Sequence, residues 1–296
     1  MIIKDFQNHQ PRNKYFVGLD SDGTVFNSME LKHKDCFVGS LIRVFNLVAI
    51  TREVHDVWSH VNIFSKNRGT NRFKALLLTF NYLKEMSQVK KLDIYLPSLN
   101  SLKKWINSTK NLSNNSLKKI VSKVSQKEKI ELKTVLEWSE EVDHMVKTTV
   151  IKLPPLKGAL YAMKNIIDFA DIVVISNTPL DTLNREWSEN KIINYVLYIG
   201  GQELGTKTAM LKAVADKKYH PNKILIIGDA PGDLRAAQNI NGLFFPILPL
   251  AEEESWNEFN EVGYKNFINN SYIGKYQAHQ IKIFQSKLDI APPWEN

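Results

Sequence analysis

The sequence predicts an α/β fold: a parallel-sheet core with helices on both faces, interrupted by an inserted all-helical domain. Three observations carry this. Beyond residue 150, short apolar runs alternate with helical segments, the pattern of a parallel sheet covered on both sides. One more apolar run, YFVGL at 15–19, stands far upstream and finds no strand-like neighbour until residue 171. Between them, 29–149 shows only the three- and four-residue apolar spacing of amphipathic helices.

YFVGL ends at acidic residues and Gly, so it reads as a buried strand running into a loop. In the insertion, 31–47, 52–64, 73–86, 101–106, 114–124 and 131–146 each carry helical periodicity. The pattern then changes. Prolines lead a helix at 153–170 and DIVVIS (171–176) is a strand. Pro179 opens the helix of 178–190, since its missing N–H costs nothing in a first turn. NYVLYIG (194–200), KILIIGD (223–229) and GLFFPIL (242–248) are strands, separated by helices at 206–219 and 231–240. Segments 251–267 and 276–288 read as terminal helices, with Trp256, Phe259 and Phe267 docking them. The domains expected are therefore a core of 1–26 and 150–250, a helical insertion of 27–149, and a C-terminal helical extension of 251–296 packed on the core.

Composition narrows the class. With 43% hydrophobic and 24% charged residues in 296, the chain is an ordinary globular one, neither disordered nor collagen-like. One cysteine, Cys36, excludes an internal disulfide framework and fits a cytoplasmic, reducing compartment. Neither a signal peptide nor a membrane span is expected: the first apolar run is two residues long, and no stretch approaches eighteen. The net charge of +8 is localised. Residues 27–150 carry 21 basic and 12 acidic side chains, whereas 151–296 carry 15 and 16. Within the insertion, aromatic residues are sparse among the lysines of 84–133, so nucleic acid is not expected as a partner.

Ligands of open parallel sheets bind beyond the carboxyl ends of the strands. There the chain carries Asp20-Ser21-Asp22-Gly23-Thr24, then Ser176-Asn177-Thr178, then Asp229-Ala230-Pro231-Gly232-Asp233, with Lys207 opening the preceding helix. Four converging carboxylates repel one another unless a cation sits among them, and hard oxygen donors favour Mg²⁺. A carboxylate can attack phosphorus, a second can transfer protons, and hydroxyl, backbone N–H and ammonium groups can hold phosphoryl oxygens. Taken singly, each piece has an ordinary explanation as a turn, a helix cap or a solvated lysine. A calcium loop is excluded: counted from Asp20, Gly falls at position four and Leu31 at twelve, where Gly at six and Glu are needed.

Together these residues resemble the four signature motifs of the haloacid dehalogenase superfamily in its phosphatase-like form. They stand here as DSDGT, Ser176 in VVISN, Lys207, and GDAPGD, within 15–26 and 150–248. The resemblance implies a Rossmann-like core whose helical insertion is the family's cap, and a Mg²⁺-dependent phosphoester hydrolase acting on a small phosphorylated metabolite. It implies Asp20 as nucleophile and metal ligand, and Asp22 as general acid/base with its carbonyl on the metal. Asp229 and Asp233 complete the metal site, Thr24 steadies the loop, and Ser176, Asn177 and Lys207 bind phosphate. Lys212, one turn further on, is the rival to Lys207. Members that cleave carbon–halogen or carbon–phosphorus bonds usually lack an acid at the second Asp. Asp22 therefore favours phosphate-ester hydrolysis over the action of a phosphonate hydrolase. Two further readings stay open: a phosphomutase of the same superfamily, and a non-catalytic binding protein whose basic cap contacts nucleic acid.

Within the cap, Arg68, Gly69, Asn71, Arg72 and Lys74 surround a predicted helix start. Arg68, Asn71 and Arg72 are the candidate substrate-recognition residues, and an ordinary basic helix start is the plainer explanation. His33, His55 and Trp58 are assigned no role, and Cys36 is read as a core thiol.

Overall fold

The computed structural model describes residues 3–288 and 291–294. β1 (Tyr15–Leu19) is the central strand of a five-stranded sheet. The order is β3-β2-β1-β4-β5, where β2 is Ala170–Ile175, β3 Tyr198–Gly200, β4 Ile224–Gly228 and β5 Leu243–Pro246. Every pairing is parallel.

Strand alternation explains why YFVGL can occupy the centre. Tyr15, Val17 and Leu19 enter one apolar cluster with Met163, Trp187 and Trp256, while Phe16 enters the opposite one with Met210 and Phe284. Both faces are therefore dry, and each fully buried side chain contributes about 1.5–3 kcal/mol. Gly18 is required by a close approach: a Cβ there would stand 2.8 Å from Ile226 Cδ1.

The edge strands are shorter than their apolar runs. Of 194–200 only Tyr198–Gly200 is strand, because Ile193–Tyr195 forms a tight 3₁₀ turn before it. β5 ends at Pro246, which has no N–H to give and sits on an edge strand.

The chain separates into two compact units. One comprises Met1–Met29 with Lys152–Asp289, the other Glu30–Ile151 with Ile290–Asn296. The first holds the sheet, the Lys157–Ile166, Leu180–Glu189, Lys207–Val214 and Pro231–Gln238 helices, and C-terminal helices including Glu252–Glu258 and Lys275–Lys287. The second is helical, with a core that includes Trp58, Phe73, Phe80, Trp105 and Trp138. Its longest helix, Gln126–Thr149, starts at a capping box in which Ser125 and Glu128 exchange side-chain and backbone hydrogen bonds.

Within the stretch expected to form the 251–296 extension, Trp294 is grouped with the helical unit. Its ring centroid lies 5.3 Å from that of His60 and 5.5 Å from that of Tyr82. Aromatic packing of a tail residue leaves no periodic trace in the sequence.

Candidate active site

Register decides what meets at the carboxyl edge. Leu19 pairs with Val174 of β2 and with Ile227 of β4, so Asp20 leaves the sheet level with Ile175 and Gly228, and Ser176 and Asp229 follow one residue beyond it at the same edge. Asp20 N–H donates to Ile227 O at 3.0 Å, prolonging the ladder by one residue. The loop then closes on itself. Val25 and Phe26 N–H donate to Ser21 O at 2.9 and 3.0 Å, and Gly23, at φ 71°, takes a turn conformation that a side chain would strain.

Two indoles brace this loop from below. Trp187 Nε1 donates to Ser21 Oγ at 3.1 Å, and Trp256 Nε1 to Thr24 O at 2.8 Å. Neither brace is legible in the sequence, because an indole partner 166 or 232 positions away has no local signal. Thr24 itself donates through Oγ1 to Asp229 Oδ1 at 3.4 Å.

Asp20, Asp229 and Asp233 converge. All three are buried, and one carboxylate oxygen from each lies within 4.8 Å of the other two. Lys207 Nζ stands 2.6 Å from both Asp20 Oδ2 and Asp233 Oδ1. Its position follows from the helix start: Thr206 Oγ1 accepts from Ala209 N–H, which fixes Lys207 in the first turn and aims it at the sheet edge. Lys212 is exposed, so the helix phase separates the two lysines. Asp233 is held from the other side by Ala230 N–H at 3.1 Å. Its carboxyl fills the space beside Gly228, where a Cβ would lie 2.3 Å from Asp233 Cγ.

The electrostatics follow from burial. Removal from water opposes the Lys207 ammonium, yet the Asp20 and Asp233 carboxylates more than offset this and hold its pKa above the ordinary lysine value. Burial pushes Asp233 up to about 7, against the pull of Lys207 and with help from Asp20 and Asp229. Among the described residues, Lys207 bridges two of three converging buried carboxylates, a cluster that suits a further cation. The donor set, hard carboxylate oxygens, fits Mg²⁺.

Asp22 is half-buried and both carboxylate oxygens are held: Ser28 Oγ donates to Oδ1, and Thr178 Oγ1 donates to Oδ2 at 2.8 Å. Ser176 is buried, and its Oγ accepts Thr178 N–H at 3.2 Å, while Asn177 is exposed. Sequence reasoning misses Ser28 and Thr178. The only trace is a hydroxyl residue two positions beyond Ser176.

The recognition candidates lie in the helical unit, where they have internal partners. Arg72 Nη1 donates to Asp143 Oδ1 at 2.6 Å and to Ser139 O at 3.1 Å, with its guanidinium 5.2 Å from the Phe37 ring. Asn71 caps the Arg72–Glu85 helix through Phe73 N–H and donates to Leu112 O. Arg68 is buried and donates to Ile63 O at 3.0 Å. His33 accepts from Trp58 Nε1 at 3.0 Å, and Cys36 is a buried thiol whose pKa burial pushes up.

With this geometry in place, the sequence matches the family model of haloacid dehalogenase-like hydrolases over residues 78–245. The chain belongs to that family. It is accordingly a hydrolase. The matched span begins inside the helical unit and leaves the Asp20 loop outside it, so that loop is placed by its register beside β4. No curated protein sequence matches. Two solved structures share the fold. A predicted phosphoglycolate phosphatase from Haemophilus somnus 129pt has 11% identity and a TM-score of 0.52, over 86% of this chain and 100% of that one. β-Phosphoglucomutase from Clostridium difficile has 12% identity and a TM-score of 0.51, over 88% and 99%. Among the described residues, no helix is long and apolar enough to cross a membrane.

Proposed function

We propose that this haloacid dehalogenase-like hydrolase cleaves the phosphate monoester of a small phosphorylated metabolite through an aspartyl-phosphate on Asp20. The observation that carries this is the buried Asp20–Lys207–Asp233 bridge beside Asp229. A Lys between a would-be nucleophile and a second carboxylate neutralises both attacker and phosphoryl group.

An Asp20 carboxylate oxygen attacks phosphorus, the ester P–O bond breaks, and Asp22 supplies the proton that the leaving alkoxide takes. Water then attacks the phosphorus of the acyl phosphate. Asp22 accepts its proton, the bond from phosphorus to Asp20 breaks, and inorganic phosphate leaves. Ser176 Oγ, which accepts from Thr178 N–H, keeps its own proton free to donate to a phosphoryl oxygen. Asn177 and Lys207 share that task, and Thr24 steadies the loop. Asp20, Asp229, Asp233 and the Asp22 carbonyl would hold Mg²⁺, which when bound offsets the negative charge gathered by substrate and carboxylates.

The sheet unit serves as the catalytic body and the helical unit as the cap. The single cysteine, Cys36, fits a cytoplasmic enzyme. The test is release of inorganic phosphate from sugar phosphates, nucleotides and other small phosphoesters, with Mg²⁺ and with chelator. Asp20→Asn is expected to abolish turnover while leaving the thermal transition in place. Near-normal turnover by that variant refutes the nucleophile assignment. Interconversion of phosphate positions on a sugar, without net phosphate release, would instead mark a mutase.

A further inference from the structure

We infer that Thr178 is a positioning residue for Asp22, resting on the acid/base role proposed above. Thr178 Oγ1 donates to Asp22 Oδ2 at 2.8 Å across 156 positions of sequence. The threonine is itself placed. Its N–H donates to Ser176 Oγ, Ser176 N–H donates to Gly200 O at 2.9 Å, and Gln202 N–H donates to Thr178 O at 3.1 Å. The turn after β2 is thereby pinned to the segment that follows β3. A carboxyl on a half-buried loop residue can rotate about Cα–Cβ and Cβ–Cγ, and a hydroxyl on a pinned turn, acting with Ser28 on the other oxygen, restricts that rotation.

Geometry also links phosphate recognition to proton transfer. The Ser176 hydroxyl that would meet a phosphoryl oxygen holds the amide of the residue that aims Asp22. Displacement of this turn would disturb both functions together. The second contact to Asp22, from Ser28, comes from within the Asp20 loop's own segment, where Ser28 N–H donates to Phe26 O at 2.8 Å.

The hydroxyl does no covalent chemistry and is not consumed. Its loss should slow the two steps that need Asp22 and leave substrate capture alone. The test compares Thr178→Val, which keeps shape and removes the hydroxyl, with Thr178→Ser, which keeps the hydroxyl. Substrates are an alkyl phosphate, whose poor leaving group needs a proton, and p-nitrophenyl phosphate, whose leaving group does not. Thr178→Val is expected to lower kcat for the alkyl phosphate about tenfold, a fraction of the 10²–10⁴ that a positioned acid/base supplies. KM should stay within twofold, and Thr178→Ser should recover most of the loss. With p-nitrophenyl phosphate the first turnover should remain fast, with a burst of nitrophenol before a slowed steady state. A Thr178→Val enzyme with unchanged kcat, or a KM rise at constant kcat, overturns the inference while leaving the phosphatase reading intact. Absence of turnover in the unsubstituted protein overturns that reading, and the inference with it.

Discussion

Lys207→Met removes the ammonium that bridges Asp20 and Asp233 while nearly conserving volume. Lys207 is 7% exposed, Asp233 1% and Asp20 6%, so the carboxylates left behind have little water to turn to. Breaking a buried pair by deleting one partner costs about 3–5 kcal/mol. Part of that returns, because Asp233, already near 7, takes up a proton once Lys207 no longer opposes it. A net loss of about 2–3 kcal/mol is expected, equivalent to roughly 4–12 °C in Tm for a unit of this size. Thermal unfolding without metal measures it. Titrating Mg²⁺ should then raise the Tm of the variant, since a ligand that binds only the folded state stabilises it as its concentration exceeds Kd. Turnover should fall about 10²–10³-fold, the usual cost of losing one preorganised donor to a developing charge. An unaltered metal-free Tm together with turnover within fivefold of the parent would refute the reasoning: Lys207 would then be a spectator.

Other measurements probe the rest of the molecule. Arg72→Met breaks the bonds to Asp143 and Ser139 and should cost about 1–2 kcal/mol in urea unfolding, with KM unchanged; a tenfold KM rise at full stability would make Arg72 a substrate contact. Trp256→Phe strands the buried Thr24 carbonyl and should cost about 1–3 kcal/mol by the same measurement, so an unchanged midpoint would deny the brace. His9 is held neutral beside Tyr219 and Asp171, its pKa lowered from 6.5 chiefly by burial, against the attraction of Asp171. A folded-state pKa below the unfolded one means that stability is full above 6.5 and is lost as pH falls through it toward the folded value. Protection factors of the amides around residues 6–13, corrected for the intrinsic exchange rate at each pH, should therefore fall below about pH 6.5, and His9→Gln should flatten that dependence.

Several of these features are legible in the linear chain and others are not. The apolar run at 15–19 with acidic residues directly after it announces a strand running into a loop, and the resemblance to the family's motifs prefers Lys207 to Lys212, which lies a turn further into the helix. Those signals are local: a period of two or of 3.6, a breaker, a charge at an element's end. The Arg68-to-Arg72 stretch reads as an anion-binding helix start, whereas Arg72 turns to Asp143, 71 positions onward on another helix. Nothing near a basic residue states whether its partner is a ligand or a carboxylate of its own fold. The same holds for Thr178 and Asp22, and for Trp294 among His60 and Tyr82.

By itself, then, the sequence determined the alternation of strands and helices, the helical insertion and the acidic ends of the strands, because each depends on side chains a few residues apart. Only the tertiary structure decided which groups touch: Lys207 between two aspartates, two indoles under the loop, and one hydroxyl on each oxygen of Asp22. Those contacts join segments up to 232 positions apart, and their energy exists only once the sheet has set the register that brings them together.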